Sequence, residues 1–124
     1  MFKRNYNMTR IRDMLKMALK ITCNIDEESP SIESLEDEQD KSILGSLIKS
    51  VNEGNINEAE NELFNFIKPE NKNYLRIALL FYSYLNEKDD NFLEENDFGR
   101  DEIKTGLKDV MSAYGLESLS EALF

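Results

Sequence analysis

The chain has no histidine, no tryptophan, a single cysteine and two prolines in 124 residues. Without imidazole there is no Ser-His-Asp or Cys-His arrangement, and no histidine-containing zinc or di-iron motif. The one thiol, Cys23, closes no internal disulfide and builds no thiolate cage. With no apolar signal segment at the N-terminus, it suits a reducing cytoplasm. Near a helix C-terminus, Cys23 also lacks the positive dipole that activates a nucleophile. No phosphate-cradling loop is present, since Gly45 is not followed by Lys-Ser or Lys-Thr. Long apolar runs are missing too: a membrane span needs roughly 20 residues, and none is expected here. Calcium is excluded by register. With Gly99 at position six of an EF-hand loop, position five is Phe98 and position twelve is Thr105, neither of them an acid. Neither metal nor cofactor is expected.

What is present is charge, and it is uneven. The net formal charge is −10. Residues 1–22 carry Lys3, Arg4, Arg10, Arg12, Lys16 and Lys20 against Asp13, six minus one or +5, so the rest of the chain carries −15. An acidic body disfavours nucleic-acid binding, because phosphate contacts need clustered Lys and Arg. It favours solubility and basic partners.

The stretch that organises the chain is residues 74–85, YLRIALLFYSYL, in which only Arg76 and Ser83 are plainly polar. A helix apolar on nearly every side must be wrapped by other elements, so this run is expected as the central buried helix. Residues 7–23 form a basic amphipathic helix whose stripe is Met8, Ile11, Leu15, Ala18 and Leu19. Residues 26–40, DEESPSIESLEDEQD, read as a solvated acidic linker. A helix over residues 37–52 follows, stopped by Gly54. The next buries Ala59, Leu63, Phe66 and Ile67 and ends before Pro69. Beyond the central helix, Asp89 caps a short turn and residues 100–114 form another helix. Gly115-Leu116 stops that helix, and Ser118 with Glu121 starts a final turn through Leu123 to Phe124. No segment alternates at period two. The expected fold is all-α, a single domain over residues 1–124 with five to six helices in an irregular bundle and the helical core in residues 37–124.

Gly54, Ile56, Ala59 and Leu63 stand at the spacing by which a tetratricopeptide hairpin closes, so residues 43–67 resemble one such hairpin, although Phe66 occupies a position where a small residue is usual. The pattern does not recur 34 residues on, where Lys88 and Leu93 replace the glycine and alanine, so no solenoid is expected. Through NEGNINEAENELFNFI from Asn52, YLRIALLFYSYL, and NDFGRDEIKTGLKDVMSAYGL, nearly the whole chain resembles an uncharacterised family of small helical proteins from Gram-positive bacteria. The resemblance implies fold and lineage and brings no catalytic residues.

With no catalytic constellation, the leading expectation is a non-enzymatic protein–protein interaction module that self-associates as a homo-oligomer through the Met8, Ile11, Leu15, Ala18 and Leu19 face. A second is a small-molecule binder or enzyme using carboxylates and tyrosines, with Glu62, Tyr74 and Tyr82 lining its pocket. A third is association of the basic N-terminal helix with anionic membrane or nucleic acid, though that face is rich in Met and holds no aromatic anchor.

Overall fold

In a computed structural model, the structure describes residues 6–123, all helical or irregular with no strand among them. Lys3, Arg4 and Phe124 lie outside the described residues. Seven helices run in order: α1 (Tyr6–Cys23), α2 (Glu38–Asn52), α3 (Ile56–Phe66), α4 (Lys72–Asn86), α5 (Asp90–Glu95), α6 (Arg100–Ala113) and α7 (Glu117–Leu123). The two beyond the expected core set are short. The acidic turn after Asp89 closes as α5, and α7 begins at Glu117, so Ser118 lies inside that helix and is not its cap.

α4 is the run of residues 74–85, and it is wrapped as its composition demands. Leu75, Ile77, Ala78, Leu79, Leu80, Phe81, Tyr82 and Leu85 are all buried. α1, α2 and α6 pack around it. Each supplies one stripe: Ile11, Leu15, Ala18 and Leu19 from α1, Leu44, Leu47 and Val51 from α2, and Ile103, Leu107, Val110 and Met111 from α6.

Local signals set the ends. Asn71 caps α4, its Oδ1 accepting from the Asn73 N–H at 3.0 Å. At Gly54 (φ +90°) the Gly54 N–H donates to the Val51 carbonyl and the Asn55 N–H to that of Ser50, the paired closure that favours glycine. α2 and α3 thereby fold into a hairpin. The helix α6 ends the same way, with Gly115 at φ +70° and the Leu116 N–H on the Met111 carbonyl at 2.8 Å.

The N-terminal helix does not leave open the stripe through which self-association is expected. Its stripe faces α4 of the same chain: Ile11, Leu15 and Ala18 are 1% exposed and Leu19 is fully buried. Met8 is half-buried, and its carbonyl accepts from Asn86 Nδ2 at 2.9 Å. One apolar face covers one partner, and here the partner is in cis, so this face is not open to a second copy. Three of its four cations are met in cis as well. Arg12 pairs with Glu87 at 2.8 Å, Lys16 with Glu28 at 3.5 Å and Lys20 with Asp26 at 3.8 Å.

Residues 26–40 are also more ordered than their composition suggests. Ile32–Ser34 form a 3-10 turn held by the Ser31 and Ser34 hydroxyls, and Leu35 is buried. Ile25 just before it and Ile32 and Leu35 within it fasten this acidic segment to the core.

Candidate functional site

α1 ends where Asn24 takes a left-handed conformation (φ +58°), which asparagine tolerates better than most residues. The chain then doubles back, and the Ile25 N–H donates to the Leu19 carbonyl at 3.1 Å. The segment leaving this turn, the segment entering α2, and the first turns of α2 and α4 surround a cleft of about 670 Å³. Cys23, Ile25, Leu35, Asp40, Asn73 and Arg76 are among its lining residues.

Asp40 is the unusual member. It stands in the first turn of α2 and is only 8% exposed. Its backbone N–H donates to the Asp37 carboxylate, which caps the helix through Gln39 and Asp40 at 2.7 and 3.1 Å. Its own carboxylate receives no hydrogen bond and no ion pair from the described residues, and among these no buried side-chain polar atom is left both sealed from solvent and unbonded. The carboxylate therefore has the cleft as its outlet. Burial pushes its pKa up, the Asp37 charge pushes it further, and Arg76 opposes both. Arg76 donates Nη1 to Asn73 Oδ1 at 2.7 Å and enters no ion pair among the described residues. Cys23 is buried beside the same cleft. Burial raises its thiol pKa, against the pull of the Thr22 hydroxyl, Arg76 and Lys72, so it is a packed thiol and not an activated one.

A second cleft, of about 590 Å³, lies between α3 and α6 and is lined by Glu60, Asn61, Phe64, Glu102, Gly106 and Asp109, with Asn65 and Thr105. At its edge the buried Tyr82 hydroxyl donates to Glu60 Oε2 at 2.5 Å. Burial lifts the Glu60 pKa, Glu102 and Asp109 add to the rise, and the Tyr82 hydroxyl opposes it. The Tyr82 phenol is pushed far above its ordinary range by burial and by the Glu60 charge. It is a fixed donor and not an acid.

The residues expected to line a pocket together do not meet. Glu62 is exposed on α3, and Tyr74 is half-buried with its ring 5.8 Å from that of Phe66. Only Tyr82 meets a carboxylate, and it belongs to Glu60. The reason is helical phase: Glu60 borders the Ile56, Ala59, Leu63 stripe, whereas Glu62, about 200° further round at 3.6 residues per turn, points away from it.

Among the described residues no group of three or more His, Cys, Asp or Glu is placed to hold a metal ion. Nor is any helix among them long and apolar enough to cross a membrane. The model of a family described as a family of unknown function (DUF6483) matches residues 1–115. No curated protein and no solved structure matches the chain.

Proposed function

This chain belongs to that family of unknown function, and from that premise we propose that it is a non-enzymatic binding protein whose Asp40 cleft receives the ammonium or guanidinium group of a small ligand. The observation that carries this is Asp40 itself, nine-tenths buried and without a donor to its carboxylate among the described residues. An ionised carboxylate taken from water needs a counter-charge or hydrogen bonds, or it destabilises the fold. The α2 N-terminus offers partial compensation through its dipole. A ligand cation supplies the rest, and it meets a carboxylate already fixed in place, so little ordering entropy is lost on binding.

Support for a binding role over catalysis comes from the groups nearby. Cys23, which lines the same cleft, has its pKa raised by burial and is a packed thiol. The buried, unpaired thiol supports work in a reducing compartment. The α2–α3 hairpin is read as tetratricopeptide-like, on the strength of Gly54, Ile56, Ala59 and Leu63 at its closure.

The test uses cadaverine as probe, followed by thermal shift and by NMR of the Asp40 side-chain and backbone signals. A rise in melting temperature with wild type that is lost in Asp40→Asn supports the reading. Equal response of the two proteins, the mark of nonspecific screening of an acidic chain, overturns it, and so does the absence of any response.

A further inference from the structure

We infer that the ligand of the Asp40 cleft is a basic amino acid, bound by its carboxylate as well as by its cationic groups. This rests on the reading of Asp40 as a receptor for an ammonium or guanidinium group, and adds the other half of the ligand. Arg76 is the observation behind it. Arg76 lines the same cleft as Asp40, and among the described residues its guanidinium donates to Asn73 and pairs with no carboxylate. It acts on Asp40 through space, drawing the carboxyl pKa down against burial, without a hydrogen bond between the two. Two opposite charges that face one space and do not join present a complement to a zwitterion: Asp40 for its ammonium and the free edge of Arg76 for its carboxylate. A planar guanidinium pairs with a carboxylate through two parallel hydrogen bonds.

The remaining lining chooses among zwitterions. Asp37 is engaged as the α2 cap, and Asp26 reaches Lys20 at 3.8 Å. Glu27 and Glu36 stand exposed at the rim, a surplus of negative charge that one ammonium does not neutralise. A second cationic group on the ligand does. Ile25 and Leu35 in the lining provide apolar wall for a methylene chain, and about 670 Å³ leaves ample room for one amino acid.

The experiment is titration calorimetry of the full chain with L-lysine, L-lysinamide and cadaverine, which keep the amines and differ at the carboxylate. L-lysine is expected to bind about tenfold tighter than either amine, the factor one charge-assisted ion pair supplies. Arg76→Gln is expected to abolish the preference for L-lysine over cadaverine, because the carboxylate then has no guanidinium to meet. The lysinamide comparison carries the same test on wild-type protein, so it holds even where the variant fails to fold. Equal affinity for all three probes overturns this inference and leaves the Asp40 reading standing. No binding of any probe overturns both.

Discussion

Gly106→Ala tests whether the contact between α4 and α6 is as close as it stands. Alanine is the better helix former, by about 0.8–1 kcal/mol in a helix interior, so propensity alone predicts a more stable protein. The structure predicts the reverse. A Cβ built on Gly106 falls 2.5 Å from Cζ of Tyr82 and 2.8 Å from Oε2 of Glu60, and it overlaps the phenolic oxygen. Tyr82 has nowhere to retreat: it is fully buried, with its ring edge-on to that of Phe81 at 5.2 Å. Overpacking of this kind costs about 1–3 kcal/mol. Displacing the phenol also breaks its bond to the partly buried Glu60 carboxylate, a further loss of about 1.5–3 kcal/mol for a charged acceptor. After the propensity gain, the net is a loss of about 1.5–5 kcal/mol, read from urea unfolding at unchanged slope. Gly45 is the internal control. It also lies within a helix, but the nearest atom to its added Cβ is Ile32 Cδ1 at 3.7 Å, an ordinary contact. Gly45→Ala is therefore expected to stabilise by about 0.8–1 kcal/mol. If Gly106→Ala is as stable as Gly45→Ala, the close approach of α6 to the Tyr82–Glu60 pair is wrong.

Asp40→Asn should melt higher than wild type at neutral pH. A folded-state pKa raised by burial penalises the ionised form, so the penalty is fully present above that raised pKa. It is relieved as pH falls toward the unfolded value of about 3.9, and the two melting curves should converge there. Arg100→Lys should destabilise by about 2–4 kcal/mol in urea unfolding, because an ammonium cannot replace a fork that bonds the Asn86 and Lys88 carbonyls, both at 2.7 Å, and Asp90 at 2.8 Å. Arg12→Ala removes an exposed pair with Glu87 and should change stability by under about 1 kcal/mol. Leu80→Asp, which buries an unpaired charge in α4 at a cost of several kcal/mol, should leave no cooperative unfolding transition by circular dichroism. Light scattering should report a monomer, since the α1 stripe is already covered; a dimer that Leu15→Glu dissolves without unfolding would restore the contact in trans.

Features governed by neighbours in sequence were legible from the sequence. The wrapped α4 follows from an apolar run with two polar exceptions, and the stops at Gly54 and Gly115 follow from the conformations only glycine adopts freely. The α1 stripe was legible as a stripe, but an apolar face is satisfied equally by its own core or by a second copy, so periodicity did not decide between them. The cleft was not legible. Asp40 looked like one more acid in an acidic segment, and nothing local says that its side chain turns inward. Arg76 did leave a trace, as a charge inside an otherwise greasy run, yet its neighbour across the cleft is 36 positions away. Composition carries no phase and so does not prefer Glu60 to Glu62, whereas counting round α3 from Leu63 separates the two.

The junction at Asn86 has a consequence for how the molecule can be cut. Its side-chain amide holds the Met8 carbonyl, while its side-chain oxygen and its own carbonyl are both gripped by Arg100. The first helix is thus fastened to the last turn of α4 and, through it, to the start of α6. A fragment beginning after residue 23 would not be a trimmed version of the same domain. It would bare the greasy flank of α4 and strand an amide beneath it, so a protease that nicks the turn at Asn24 should yield two pieces that stay together until the whole fold lets go.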